Sequence, residues 1–482
     1  MKIQILFLAL LILSGFRVKA QTLNPEQLQA DFVRFQTALN EVHPEPYRYT
    51  PKPVFDSLFA ATQAQLDRPM TQQEFYVTMV PLLVALKDGH IKWIPAGQDE
   101  HYPFSTSKLF PLNLYWVENR AWVVGSYGSE SIPNGAEVLQ INGKPVRDVI
   151  QDLLPKMTFA DGNTVNGKYE DLNDFFSGYY ATFIAAPDAH EVQYRWAKEE
   201  KTVTLPSVTL DQIRRYQEKH KSAPQKPFRL TFTEDRNAAV MTIERFWDDK
   251  KEQDYARFLR ESFRELREKR VENLVLDLRN NEGGEEKYGV LLYQYLALKP
   301  FRYYDYIRVR QKKAYSFPAW SPKLYQRFKW LVVRKRGNGY VFTKQAGLKR
   351  QKSKREAFRG KLAVLVNGAS FSVTTELAAR VHADQRAIFI GQETGGGYGG
   401  DNSGIFAITQ LPHSKIDLGI GMFGFHMANL PTTIKPGQGI IPDHIVVPTV
   451  DDMLTGNDPV LKKALQLIQP RAGAAGSSIT TR

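Results

Sequence analysis

The stretch Val364-Leu-Val-Asn-Gly-Ala-Ser-Phe-Ser372-Val-Thr-Thr-Glu376 brings hydroxyl side chains to a point where an apolar β-branched run gives way to the helical pattern Glu376-Leu-Ala-Ala-Arg-Val381. Amides freed at a helix start can stabilise a negative oxygen beside such a hydroxyl, which is the setting of a serine nucleophile. Ser370, Ser372 and Thr374 are equally the residue types that cap a helix, so the local pattern admits both readings.

A base for such a nucleophile is offered by Leu86-Lys-Asp-Gly-His90. The preceding segment, Glu74 to Leu86, reads as a helix ended at Asp88-Gly89, which puts His90 on a turn. Imidazole, with an ordinary pKa near about 6.5, can take a hydroxyl proton and return it to a leaving amine. A third segment, the buried strand Leu274 to Leu278, runs into Arg279-Asn-Asn-Glu-Gly-Gly284, where two glycines allow close backbone approach to a ligand. On the pattern alone this is also an ordinary strand-to-helix turn.

Asn367-Gly-Ala-Ser-Phe-Ser372 with Gly391-Gln-Glu-Thr394, Leu274 to Gly284, and Gly439-Ile-Ile-Pro-Asp-His444 resemble, in order, the motifs of the tail-specific (C-terminal processing) serine peptidases and their tricorn-core relatives. The resemblance covers roughly residues 225 to 470. It implies Ser372 as nucleophile, with the oxyanion held by the amide of Val373 and that of Gly283 or Gly284. In the lysine-dependent branch the base falls at position 397, here Gly397, whereas Asp88-Gly-His90 resembles the histidine-using branch. The orienting glutamate of tricorn-like relatives has no counterpart in Ile434-Lys-Pro-Gly-Gln-Gly439. Asp88, Glu393, Asp401 and Asp443 are the candidate acids, none singled out by the pattern. No metal or other cofactor is expected.

Two functions follow from the resemblance. One is an exported serine peptidase acting on proteins or peptides; the other is a catalytically inactive protein binding an apolar ligand or a peptide chain end on the same scaffold. The missing glutamate favours the second, and the joint presence of Ser372 and His90 favours the first.

Met1 to Ala20, with Lys2, an apolar run from Ile3 to Leu13 and small residues before Gln21, reads as a signal peptide. The expected location is periplasmic or extracellular, and no later run is apolar enough to span a membrane. The 482 residues contain no cysteine, which excludes disulfides and thiolate metal sites. The net charge is +13, of which Lys2, Arg17 and Lys19 supply three, leaving +10 after the leader. Basic runs at Arg308 to Lys313, Arg334 to Arg336 and Lys349 to Arg355 have no nucleic-acid-binding signature beside them and read as a solvated insertion or an anionic-surface contact.

The length predicts about three domains in a multidomain α+β chain. Residues 21–99 are expected to be helical, with Leu28, Phe32, Phe35 and Leu39 on one face. Residues 100–210 read as a β-rich unit in which Ile132 to Val146 resembles a PDZ core hairpin turning at Asn142-Gly143. Such a unit either adds a peptide to a sheet edge or serves as a spacer. Residues 225–468 alternate strands and helices, implying a mixed α/β core of crotonase-like, ββα type; residues 469–482 read as a disordered tail.

Overall fold

The computed structural model describes residues 22–221, 223–234 and 237–468. The expected leader at 1–20 and the tail at 469–482 lie outside the described residues. The chain is a mixed α+β assembly of helices and several sheets.

Three helices, Pro25–Val42, Lys52–Ala64 and Gln72–Leu86, come first. Asn24 with Gln27 and Thr71 with Glu74 form capping boxes that satisfy the first amides of two of them. Leu28, Phe32, Phe35 and Leu39 are all buried, as their spacing predicts. The third helix ends at Lys87, which takes the left-handed conformation (φ 52°), one residue before the expected stop at Asp88-Gly89. Beyond the turn, Lys92–Pro95 pairs antiparallel with Ile416–Met427. His90 is therefore held between a helix end and a sheet.

The strands Leu112–Val117, Arg120–Ser126, Glu137–Ile141, Ala189–Trp196 and Glu199–Pro206 form a second unit with its own apolar core around Phe110, Trp116, Val138 and Phe176. Asn142 and Gly143 both have positive φ (50° and 74°), the conformation of a tight hairpin turn joining Glu137–Ile141 to Lys144–Pro145. Leu112–Val117 is an edge strand, but the Trp116 N–H is donated to Asn173 Oδ1 (2.7 Å) from the helix Asn166–Phe183. A peptide adding here would have to displace that bond.

The remaining sheet that matters for the site runs Phe228–Phe232, Ala238–Ile243, Asn273–Asp277, Lys361–Val366, Ile388–Gly391 and His444–Ile445, parallel after its first pair. Both faces are covered. Leu274, Leu276, Val364 and Val366 point into the main core, whereas Val275, Ala363, Leu365 and Ile390 meet the helix Pro459–Ile468. The turns after Asn273–Asp277 and Lys361–Val366, at the carboxyl ends of adjacent parallel strands, contain Asn280 to Gly284 and Asn367 to Ser372. This is where α/β sheets place their sites.

Candidate active site

Ser372 stands at the N-cap of the buried helix Val373–Ala383 but makes no side-chain capping bond. Its backbone (φ 55°, ψ −129°) lies where non-glycine residues are rare, a strained turn of the kind that carries a serine nucleophile in other hydrolases. The capping reading is thereby corrected. Ser370 is fully buried and structural: its Oγ donates to the Leu278 carbonyl (2.9 Å) and accepts the Asn367 N–H (3.1 Å).

The glycine turn abuts this strained residue. A Cβ at Gly283 (φ 104°) would fall 2.7 Å from Ser372 Cβ and 3.0 Å from Val373 N, so no other residue fits there. Val373 opens its helix, leaving its N–H without a partner in the helix and at the positive end of the dipole. Of the two candidate glycine amides, that of Gly283 is already donated to Asn281 Oδ1 (2.9 Å). Phe246 N–H donates to Gly283 O and accepts through its own carbonyl from Glu285 N–H, which turns the intervening Gly284 N–H away from Phe246.

His90 is drawn to the same place by an aromatic contact. Its imidazole stacks on the ring of Phe371, the residue before Ser372, with centroids 4.6 Å apart. Gly89 makes room: a Cβ there would lie 2.5 Å from Phe371 Cζ. Neither His90 ring nitrogen has a hydrogen-bond partner among the described residues, although both are shielded from solvent. Ser372 and His90 are not hydrogen-bonded to one another in this conformation, as is common before substrate tightens a catalytic pair. An unpaired buried imidazole is costly, and it is the state expected of a base waiting for its proton donor.

Two acids attend His90. Asp88 Oδ1 accepts the His90 backbone N–H (2.9 Å) and lies 3.8 Å from Nδ1, too far for a hydrogen bond to the ring. Its Oδ2 accepts from His43 Nε2 (3.1 Å), with both side chains fully buried. The second acid, Asp161, carries no motif and was not expected from the sequence. It accepts the N–H groups of Gly89 (2.9 Å) and Gly397 (3.3 Å). Burial pushes its carboxyl up to about 7; His90 pulls it down, and Asp401 and Asp88 add to the rise. Asp88, His90 and Asp161 each bring one donor atom within 4.8 Å of the others, a spacing that could also receive a cation. All four carboxylate oxygens already accept hydrogen bonds from the protein, which suits a proton-handling cluster better than a metal centre.

The other candidate acids serve elsewhere. Glu393 accepts the Gly439 N–H (2.9 Å), Asp443 accepts that of Phe389 (2.7 Å), and Asp401 accepts the Ser403 hydroxyl (2.6 Å). Asp401 touches the site only through its field on Asp161. At Gly397 a Cβ would sit 3.0 Å from the Tyr49 hydroxyl and 3.5 Å from Asp161 Cβ, so the position occupied by a lysine base in the other branch is here packed against the acid cluster.

A cavity of about 210 Å³ adjoins the turn, lined by Gly89, Phe159, His101, Asp171, Phe175 and Glu282 among others. The Glu282 carboxyl forms no ion pair among the described residues, and partial burial, then Asp171, push it up. A larger cavity of about 1000 Å³ separates the Leu112–Val117 edge from the strand ends at Asp277, Asn280 and Asn367.

Residues 237–429 match the model of peptidase family S41. Among solved structures the chain is similar to mature CPAF complexed with lactacystin, at 13% identity and a TM-score of 0.65, covering 92% of this chain and 97% of that one. It is similar also to mature CPAF, at 12% identity and 0.61, covering 92% and 96%. At these identities the likeness is one of fold. No curated protein sequence matches the chain. The strained Ser372 and the glycine turn both fall inside the matched segment, and it is this segment, residues 237–429, that carries the likeness to the serine peptidases of family S41.

Proposed function

We propose that this serine peptidase cleaves peptide bonds with Ser372 as nucleophile and His90 as base, the single supporting observation being the strained, uncapped Ser372 packed against Gly283 at a helix start. Ser372 Oγ attacks the scissile carbonyl as its proton passes to His90. The N–H groups of Val373 and Gly284 receive the resulting oxyanion. The imidazolium then protonates the leaving amine, and water, deprotonated by the same ring, hydrolyses the acyl-serine ester. Asp88 supplies the negative field for the imidazolium in place of the absent glutamate, and Asp161 adds to it once its carboxyl ionises, at about 7.

The unit around Leu112–Val117 is PDZ-like and the parallel sheet is the crotonase-like core. The large cavity between them is the path by which an extended chain reaches Ser372. Residues 1–20 direct export, and the mature chain starting at Gln21 works in the periplasm or medium. A fluorophosphonate probe tests the central assignment: labelling must map to Ser372 by peptide mass and vanish in Ser372→Ala. Modification of Ser370, or none in a folded protein that degrades casein, would refute it.

A further inference from the structure

Between Asp305 and Glu356 the chain contains sixteen lysines and arginines and no acid. Among the described residues only Arg308 of these forms a salt bridge, with Glu45 (3.7 Å). Within this segment lies the helix Lys323–Val332, between the basic runs. Its inner face is fixed: Tyr325 packs against Phe423 (5.5 Å) and Phe342 (6.2 Å), and buried Lys329 donates to the Lys313 carbonyl. Its outer face is apolar. Leu324 is 74% exposed, Phe328 41% and Leu331 42%, at the i, i+4, i+7 spacing of one stripe. Trp330 (58%) stands beside them, and Trp320 (64%) extends the patch by pairing with exposed Ile408 through two 2.8 Å backbone bonds. The adjacent stripe is Lys323, Arg327 and Arg334, followed by Lys335 and Arg336, all exposed.

We propose that this face docks on an anionic phospholipid surface. An apolar stripe of Leu, Phe and Trp flanked by unpaired Lys and Arg is the composition that lies in a headgroup interface, with the side chains inserted and the cations on lipid phosphates. Charge complementarity selects the occupant: the exposed Lys323, Arg327, Arg334, Lys335 and Arg336 beside the apolar stripe suit an anionic partner, and a nucleic acid would leave Leu324 and Leu331 exposed to water. No described helix is long and apolar enough to cross a membrane, so the contact is peripheral.

The test uses the chain beginning at Gln21, so that the apolar leader contributes nothing. It is sedimented with vesicles of phosphatidylglycerol and phosphatidylcholine, or of phosphatidylcholine alone, with tryptophan quenching by brominated acyl chains. At least tenfold stronger binding to the anionic vesicles is expected, weakening with salt, with quenching that falls in Trp320→Phe and Trp330→Phe. The combined Leu324→Ser, Phe328→Ser, Leu331→Ser variant, all surface changes checked by melting, should lose binding. Equal binding to both vesicles, undiminished binding of the triple variant, or a dimer or DNA complex that the triple variant disrupts while vesicles are ignored would each overturn the proposal.

Discussion

His43 and Asp88 form a fully buried pair, 3.1 Å from Nε2 to Oδ2. The Glu45 N–H donates to His43 Nδ1 (3.2 Å), which leaves the ring proton on Nε2, directed at Asp88. The carboxylate beside His90 is thus held by a histidine 47 residues upstream of it.

Replacing His43 with Leu removes a donor from a carboxylate that faces His90 and leaves it buried with less support. The expected result is a lower Tm together with a rising limb of kcat/KM moved to lower pH, because the field stabilising the imidazolium weakens. A lower Tm with an unmoved limb would reduce His43 to a structural residue and remove Asp88 from the mechanism.

Asp161 makes a second pH prediction. Its carboxyl is raised from the ordinary 3.8 to about 7, chiefly by burial. The folded protein keeps this proton where the unfolded chain has released it. The resulting stability is complete below pH 3.8 and is lost as pH rises to about 7. Asp161→Asn should flatten the fall in Tm between pH 4 and 8 relative to the parent; parallel curves would show that the group does not titrate as described.

Ser370 and Ser372 should separate stability from activity. Ser372→Ala should abolish hydrolysis with little change in Tm, since the Ser372 side chain makes no capping hydrogen bond to its helix. Ser370→Ala leaves the buried Leu278 carbonyl unpaired, costing about 1–3 kcal/mol, while keeping most activity. Activity assays beside thermal melts decide this, and the reverse pattern would mean that the nucleophile is misassigned.

The free Glu282 carboxylate beside the cavity at Gly89 should favour a cationic substrate side chain. On peptides differing only in Lys against Met, Glu282→Gln is expected to cut the Lys preference about three- to tenfold, the equivalent of ~1 kcal/mol for a partly exposed pair. An unchanged ratio would place the side chain elsewhere.

What could be read in the sequence was whatever repeats locally. The Leu28, Phe32, Phe35, Leu39 stripe, the Asn142-Gly143 turn and the strand before Arg279 all follow from period and turn chemistry. Ser372 and His90 were legible as motifs. Asp161 was not, because Asp161-Gly162 is indistinguishable from any turn until folding sets it against Gly89 and Gly397. Nor was the occupation of the Gly283 amide by Asn281, or the left-handed Lys87 that ends the helix and frees Gly89 for contact with Phe371. The helix Lys323–Val332 was not read from the sequence, where the basic runs on either side dominate, although Leu324, Phe328 and Leu331 have helical spacing.

The measurement that bears most directly on the pairing of Ser372 with His90 is the pH dependence of kcat/KM in the parent and in His90→Gln, with folding verified by melting. The parent should show a rising limb in the imidazole range, and His90→Gln should lose that limb and fall on the order of 10²-fold or more with an unchanged melt. Parent-like rates in His90→Gln, with Ser372→Ala inactive, would contradict the account and assign the activation of Ser372 to another group.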